Sequence, residues 1–328
     1  MMRLQGTSRR RGGALVAMMA LTALWVGAAG TAGAEDLEEL LTQVGEDYAV
    51  AYSSPFLFSY GPNVNSNLFS TAHVPWTGLT FGLGVKFMGT QVNDDDRTFG
   101  KVIRNVDLSD YDPSLPDGTT GDVYMSGPTI FGDTETNGRV QGFVNGIEVF
   151  SAETIPGLVD TKWSPMVAPE AYIGGLAGLK LTVRWLPEMD TGDYGKTKYF
   201  GYGLSWNANG LLKTLPVDVM VGFFNQDIDV GTIYQSNASS IFAAASKSFT
   251  RLTVYGGFAL EDSEMDVSYE FEHPTDPALN SQVDFTIDGR QDTRFTLGAT
   301  LDILAKLNIE AGFGNEMTTW SAGLMFGL

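Results

Sequence analysis

Residues 79–328 repeat one pattern, in which apolar residues alternate with small or polar residues. From Leu79 to Phe87, the residues Leu, Phe, Leu, Val and Phe alternate with Thr, Gly, Gly and Lys. The alternation recurs in segments of about ten residues that are separated by short polar breaks. Successive side chains of a β-strand point to opposite faces of a sheet. The pattern therefore predicts many β-strands that each have one apolar face.

The residue types on the two faces favour a membrane barrel over a secreted soluble β protein, which is the alternative. The polar face is mostly Gly, Ser, Thr and Asn, and the apolar face is nearly free of charge. A charge on the lipid face at the bilayer midplane costs about 2–4 kcal/mol, so its absence is informative. Trp185, Tyr199, Trp206 and Trp320 lie near predicted strand ends, where interfacial aromatic residues are expected.

The predicted fold class is all-β: an antiparallel transmembrane β-barrel of fourteen strands, or of twelve if two irregular candidates are loops. An even strand number places both ends of the barrel chain in the periplasm, so the segment after Thr90 should face the outside. The candidate strands start near residues 79, 118, 138, 166, 179, 197, 216, 239, 252, 263, 282, 292, 306 and 318.

Residues 1–34 have the features of a secretory signal peptide. Arg3 and Arg9–Arg11 form a positive region, and an almost wholly apolar run follows over residues 14–28. Ala32–Ala34 has the A-x-A form of a cleavage site. The apolar run is shorter than the ~20 residues of a spanning helix, which argues against a membrane anchor. We expect cleavage between Ala34 and Glu35 and export of the mature chain.

Residues 36–53 are predicted to form an amphipathic helix. Leu37, Leu40, Leu41 and Val44 follow the i, i+3, i+4, i+7 spacing, and Pro55 is expected to end the helix. The polar face of this helix is acidic, and anionic lipid would repel it. We therefore favour a position inside the barrel or across its periplasmic mouth over the membrane surface. Residues 35–78 form an N-terminal helix and plug-like segment in this interpretation.

The region from about residue 93 to 165 departs from the regular pattern. It contains the acidic run Asp94–Asp96, several prolines and repeated glycine. We interpret it as a long loop region with one or two less regular strands, inside a barrel domain that covers residues 79–328. The acidic run could bind Ca²⁺, but a calcium loop places its ligands at alternate residues. A solvated loop is the favoured interpretation.

The residue content argues against several classes of function. The chain has no cysteine, which rules out a disulfide scaffold, a thiolate metal site and a thiol nucleophile. Its formal net charge of −19 argues against a nucleic-acid partner. His73 precedes the first strand and His273 lies in a predicted turn, so neither is placed to activate a serine. We expect no enzymatic activity, no catalytic residue, no cofactor and no metal.

Charged residues on the polar strand faces are predicted to line the barrel lumen. Both signs occur, so these residues can form pairs or line water. Arg184 could attract the anionic head group of a ligand, but a structural pair with an interior acid is the favoured interpretation. The candidate lumen charges are Lys86, Lys180, Arg184, Asp218, Glu261, Arg294 and Glu310.

Four stretches resemble a family of bacterial outer-membrane proteins known only by a domain-of-unknown-function label. They are Asn65–Thr80 (NSNLFSTAHVPWTGLT), Pro128–Gly132 (PTIFG), Leu181–Pro187 (LTVRWLP) and Leu252–Phe258 (LTVYGGF). The resemblance covers nearly all of the mature chain and implies the barrel fold, but no activity. The layout of a plug-like segment before a barrel is also similar to the long-chain fatty-acid transporter family. The C-terminus resembles an outer-membrane assembly signal but ends on Leu328, where an aromatic residue is usual.

These observations lead to two functional hypotheses for a protein of the bacterial outer membrane. The leading hypothesis is a channel or transporter for a small solute, with a hydrophobic solute as the favoured ligand. The alternative is a non-transporting structural or interaction barrel. The expected partners are outer-membrane lipid, the outer-membrane assembly machinery and the small hydrophobic ligand.

Overall fold

The computed structural model describes residues 34–109, 114–190, 196–212, 214–230, 234–271 and 281–327. For residues 34–44, 189–190, 230, 269–271 and 281–283 the description is confined to the backbone. The predicted signal peptide as far as residue 33, the turn with His273, and Leu328 lie outside the described residues.

One long helix and fifteen strands make up the described chain. No described helix is both long and apolar enough to cross a membrane. The elements are α1 (Ala34–Val64), β1 (Thr80–Gln91), β2 (Thr98–Asp107), β3 (Thr120–Pro128), β4 (Arg139–Val144), β5 (Ile147–Glu153), β6 (Trp163–Leu176), β7 (Leu179–Asp190), β8 (Lys196–Asn207), β9 (Asp218–Val230), β10 (Tyr234–Phe249), β11 (Leu252–Phe271), β12 (Ser281–Asp288), β13 (Thr293–Asp302), β14 (Lys306–Gly314) and β15 (Thr318–Gly327).

Ten antiparallel strands close into a barrel. The order is β10-β9-β8-β7-β6-β1-β15-β14-β13-β11, and pairing of β10 with β11 completes the ring. Strand β12 extends the sheet beside β11 and lies outside this ring. The all-β antiparallel barrel is as predicted, but the described strands give ten barrel strands, not fourteen or twelve.

Four of the predicted strand starts account for the difference in count. Those near residues 118 and 138 correspond to β3 and β4, which belong to a separate sheet, and the one near 282 corresponds to β12. The start near 263 lies inside β11, which continues without a break for 20 residues. The outward residues of β11 change from Phe258 and Leu260 to Asp262 and Glu264, which mimics the beginning of a new strand.

The outer surface of the barrel is a belt of exposed apolar side chains. On β1, Phe87 is 52% exposed, whereas Lys86 beside it is 1% exposed and points into the lumen. The apolar strand face therefore points outward, as the alternation predicts. Other exposed residues of this belt are Leu83, Leu181, Leu204, Val221, Ile241, Val254, Phe295, Leu297, Ile309 and Phe326.

The two ends of the barrel differ. At one end, which we call the turn end, neighbouring strands are joined by residues 177–178, 250–251 and 303–305. Ala177 and Gly178 both have positive φ angles of 52° and 76°, as in a type I′ hairpin turn. The long connections between β1 and β6 and between β11 and β13 leave from the opposite end, which we call the loop end. Strand β1 begins and strand β15 finishes at the turn end.

Strands β2–β5 form a separate antiparallel sheet in the connection between β1 and β6. This sheet belongs to a compact unit of its own, which also contains α1 as far as Ala51. Val123, Met125 and Val140 are buried on one face of the sheet. Within the unit, Tyr48 forms a 2.6 Å hydrogen bond to Thr154, and burial raises the pKa of Tyr48 to about 12.

The prediction of one or two less regular strands in the region from about 93 to 165 therefore gives too few strands. Residues 98–153 contain four strands. The pairing register shifts between Ile103 and Val106 and again between Gly142 and Phe143. Each irregularity inserts residues into one strand and exchanges the side chains that face the core. The regular alternation that revealed the barrel strands is lost for this reason.

Candidate functional site

The lumen of the barrel is occupied by residues 52–78, which we call the plug. Tyr52, Leu57, Val64 and Ala72 are among its buried residues. The helical part of the plug continues through Pro55 as far as Val64, so the prediction that Pro55 ends the helix was wrong. A proline inside a helix removes one backbone hydrogen bond. Burial of the neighbouring plug residues favours the helix in spite of that loss.

The plug runs from the loop end of the barrel to the turn end. Near the loop end, the Phe58 ring lies 3.7 Å from the guanidinium carbon of Arg290, and Asn63 donates to the Ser164 carbonyl. At the turn end, the Asn207 side chain donates a 2.6 Å hydrogen bond to the Ala72 carbonyl. The helical residues from Tyr52 onward therefore enter the lumen from the loop end.

Arg184 on β7 binds the C-terminal end of α1. This side chain is 0% exposed. Its Nη1 donates 3.0 Å hydrogen bonds to the carbonyls of Val64 and Ser66, and Nη2 donates to the carbonyl of Asn67. Its Nε donates to Glu170 on β6 at 2.8 Å. The last carbonyls of a helix lack partners within the helix and carry partial negative charge, so a cation is favoured there.

Asn67 is the residue at which the plug is bound to the other side of the barrel. Its φ is 55°, a left-handed conformation that asparagine tolerates better than most residues. Its backbone N–H donates to Glu310 at 2.7 Å, and its side-chain oxygen accepts from Lys86 at 2.7 Å and from Asn308 at 2.9 Å. The plug is therefore bound to β1 and β14 as well as to β7.

A third contact lies nearer the loop end. Arg294 on β13 donates to the Pro62 carbonyl at 2.7 Å and to Glu261 on β11 at 2.9 Å. Gln291 donates to the same Glu261 carboxylate at 2.6 Å. Two further nitrogens of Arg294, Nε and Nη1, are buried and have no protein partner among the described residues.

The charges of this buried network balance. Lys86, Arg184 and Arg294 supply three positive charges, and Glu170, Glu261 and Glu310 supply three negative charges. Ion pairs link Lys86 and Arg184 to Glu170, and Arg294 to Glu261. Removing one partner of a buried ion pair leaves an uncompensated charge, which typically costs about 3–5 kcal/mol.

The structure separates the seven candidate lumen charges into two groups. Lys86, Arg184, Glu261, Arg294 and Glu310 all belong to the buried network around the plug. The other two lie at the turn end. Lys180 lines a cavity there, and the Asp218 carboxylate accepts a 3.1 Å hydrogen bond from Nδ1 of His73.

Two important residues of the network are absent from the prediction. Glu170 lies in β6, where prolines at 165 and 169 obscure the alternation. Glu170 is two residues from both Ala168 and Tyr172, and residues two apart in a strand share a face. This spacing could have identified Glu170 as a residue of the inner face. Asn67 precedes the first strand, where no periodicity indicates which side chains contact the barrel.

Inward glycines leave room for aromatic rings. A Cβ on Gly203 or Gly222 would overlap the ring of Phe224 or Phe242, and one on Gly257 would lie 2.5 Å from the ring of Phe69. Phe69 belongs to the plug and stacks on Phe242, with ring centroids 5.1 Å apart. Aromatic rings of the wall and of the plug therefore fill the space that these glycines leave.

Residues of the acidic run form ion pairs at the loop end. Asp94 lies 2.6 Å from Lys162, which lowers the pKa of Asp94, and Asp96 accepts a 2.9 Å hydrogen bond from Arg290. The described residues contain no group of three acids or histidines that could hold a metal ion. The run forms a short 3-10 helix, Asp94–Arg97, where the prediction has a solvated loop.

A family model matches residues 13–328. The chain belongs to a family of unknown function (DUF6588). Membership of a family known only by a domain-of-unknown-function label, which the sequence resemblance predicts, is thereby confirmed. No curated protein matches the chain.

Several solved structures are similar to the chain at low identity. A loop-deletion mutant of OmpT, an outer membrane protein of Vibrio cholerae, is 10% identical over 76% of this chain and 99% of its own, with a TM-score of 0.25. The translocator domain of autotransporter NalP from Neisseria meningitidis is 9% identical over 86% and 97%, with a TM-score of 0.26. The toluene transporter TbuX of Ralstonia pickettii is 9% identical over 83% and 98%, with a TM-score of 0.23. At these TM-scores, the similarities support no inference about function.

Replacing Arg184 tests whether it holds the plug. We expect Arg184→Met to destabilise the folded protein by about 3–5 kcal/mol, because Glu170 and three carbonyls lose a buried partner. Arg184→Lys should recover only part of that loss, since one ammonium cannot replace the planar fork of donors. The measurement is urea unfolding in lipid vesicles, followed by tryptophan fluorescence.

Lys198→Met is the matched control for this experiment. Lys198 lies on the neighbouring strand β8 and pairs with Asp229 at 2.9 Å, but its side chain is solvent-exposed. We expect an almost unchanged unfolding midpoint for this variant. Equal losses for Arg184→Met and Lys198→Met would contradict the role of Arg184.

Proposed function

We propose that this protein is a barrel of the bacterial outer membrane whose lumen is closed by its own N-terminal segment and whose role is binding at the loop end. Three features support the location: the apolar belt of the barrel, the predicted signal peptide and the alternation that reaches the C-terminus. Outer-membrane lipid and the assembly machinery are the partners that this location implies.

The observation that carries the proposal is the buried, charge-balanced network that binds the plug to the wall. Barrels of about eight strands have interiors that side chains fill, and those of 16–18 strands leave an aqueous channel. A ring of ten strands that also contains a helix is closer to the first case. The resting protein should therefore not conduct ions as an open porin does.

The long connections that leave from the loop end contain regular secondary structure, which favours a binding role there. Strands β2–β5 lie in the connection that starts at the loop end after Gln91. One face of that sheet carries exposed apolar residues, including Val102 and Tyr124. A groove of about 700 Å³ on the sheet is lined by these residues and by Asp122, Gln141 and Phe143. Such a surface suits a binding role that needs no open lumen.

Passage of a small solute is the second candidate function. A cavity of about 230 Å³ at the turn end, between the plug and the barrel wall, favours it. In this version the plug must move before a solute can cross. The absence of enzymatic activity remains an expectation for both candidates.

Labelling of single cysteines tests the proposed topology. The chain has no native cysteine, so each introduced thiol is unique. Glu316→Cys places a thiol in the hairpin between β14 and β15 at the loop end, where Glu316 is exposed. Leu304→Cys places one in a turn-end hairpin where Leu304 is 98% exposed. We expect a membrane-impermeant maleimide to label Glu316→Cys on intact cells, and Leu304→Cys only after the outer membrane is permeabilised.

The reverse labelling pattern would contradict the proposal. Labelling of both positions only after permeabilisation would show that the loop end does not face the outside, and it would also contradict the proposal.

Conductance in planar bilayers separates the two candidate functions. We expect no steady conductance from the wild-type protein, because the plug fills the lumen. Deletion of residues 46–66 should produce a steady ionic current if the variant inserts, since its lumen then contains water and charged side chains. Steady current from the wild-type protein would favour the transport function instead.

A further inference from the structure

We propose that the turn-end cavity of the barrel is a binding site for a small soluble oxyanion that carries a carboxylate or phosphate group. The cavity has a volume of about 230 Å³ and lies between the plug and eight strands of the wall. Of the six charged residues of the buried network, Glu170 alone lines the cavity. The proposal does not depend on whether the barrel conducts.

Two lysines carry the argument. Lys180 on β7 and Lys306 on β14 reach the cavity from different sides of the barrel. Among the described residues, neither ammonium group lies within 4.0 Å of a carboxylate oxygen. Lys180 instead lies 4.8 Å from the centroid of the Tyr172 ring, which leaves its donors free for a ligand. Two lysines that share a cavity and form no ion pair there create a positive potential that favours an anion.

The remaining lining supplies hydrogen-bond donors. Thr71 from the plug and Thr253 from the wall line the cavity with hydroxyl groups, whereas the Thr300 hydroxyl donates to the Ser70 carbonyl. Hydroxyls and ammonium groups both donate to the oxygens of a carboxylate or phosphate.

The acids that line the cavity do not neutralise both lysines. Glu170 is paired with Lys86 and Arg184, as described above. Asp302 supplies one negative charge against the two lysines, so these three residues leave one positive charge. His73 also lines the cavity but pairs with Asp218.

The position of the cavity selects a soluble ligand over a lipid. It lies inside the closed ring of strands, which separates it from the lipid-facing belt. Its contact with the aqueous phase is at the turn end, where the His73 side chain is largely exposed. In the proposed topology, the ligand therefore comes from the periplasm.

Binding of inorganic phosphate to the full-length protein in a zwitterionic detergent tests this proposal. We expect phosphate to raise the unfolding temperature of the wild-type protein at constant ionic strength, and isothermal titration to show one saturable site. The double variant Lys180→Gln/Lys306→Gln should bind at least ten-fold more weakly. Acetate should compete with phosphate, whereas chloride at the same concentration should not.

Lys247→Gln is the control, because Lys247 lies at the same end of the barrel but is exposed and donates to the Pro216 carbonyl outside the cavity. Its affinity for phosphate should equal that of the wild-type protein. The proposal is overturned if the wild-type protein shows no saturable binding, or if the double variant binds phosphate as the wild-type protein does.

Discussion

The contact between Arg184 and the end of α1 is the interaction on which the closed lumen depends. A helix that ends inside a barrel has carbonyl groups that water cannot easily reach, and buried carbonyls need partners. Arg184 donates to the carbonyl of Val64, the last residue of the helix, and to the carbonyls of Ser66 and Asn67 just after it, and it is itself neutralised by Glu170. The same guanidinium therefore completes the helix, fixes the depth of the plug and compensates a buried acid on the next strand.

The other buried charges extend this arrangement around the barrel. Glu310 and Lys86 both contact Asn67, and Arg294 contacts Pro62, so the plug is held from opposite sides. Such a network is stable only when all of its members are present, because each charge depends on the next for compensation. Because every charge must be compensated, the polar, glycine-rich wall and the short plug pack in one defined arrangement. The same requirement favours a closed lumen in the resting protein.

The sequence predicted well which side chains of each strand point outward. An apolar outer face and a polar lumen require apolar and polar residues to alternate strictly along each strand. The sequence did not predict which strands share a sheet, since alternation is a local property. β3 and β12 therefore entered the barrel count, and β11 was divided where its outward residues become acidic. Arg184 and Glu310 were identifiable as inward charges, but Asn67 was not, because its role arises from contacts with strands more than 200 residues away. The direction of the plug also depends on such contacts.

The most direct test of the account is a disulfide between the plug and the inner wall of β11. A Cβ on Gly61 would lie 2.8 Å from the Cβ of Ser263, so a small shift gives the spacing of a disulfide. The variant Gly61→Cys/Ser263→Cys, expressed in the outer membrane and analysed by non-reducing mass spectrometry, should contain a nearly complete intramolecular disulfide. The control Gly61→Cys/Asp262→Cys, whose second cysteine points outward, should contain almost none. Free thiols in the first variant, or equal cross-linking in both, would contradict a plug that enters the lumen from the loop end.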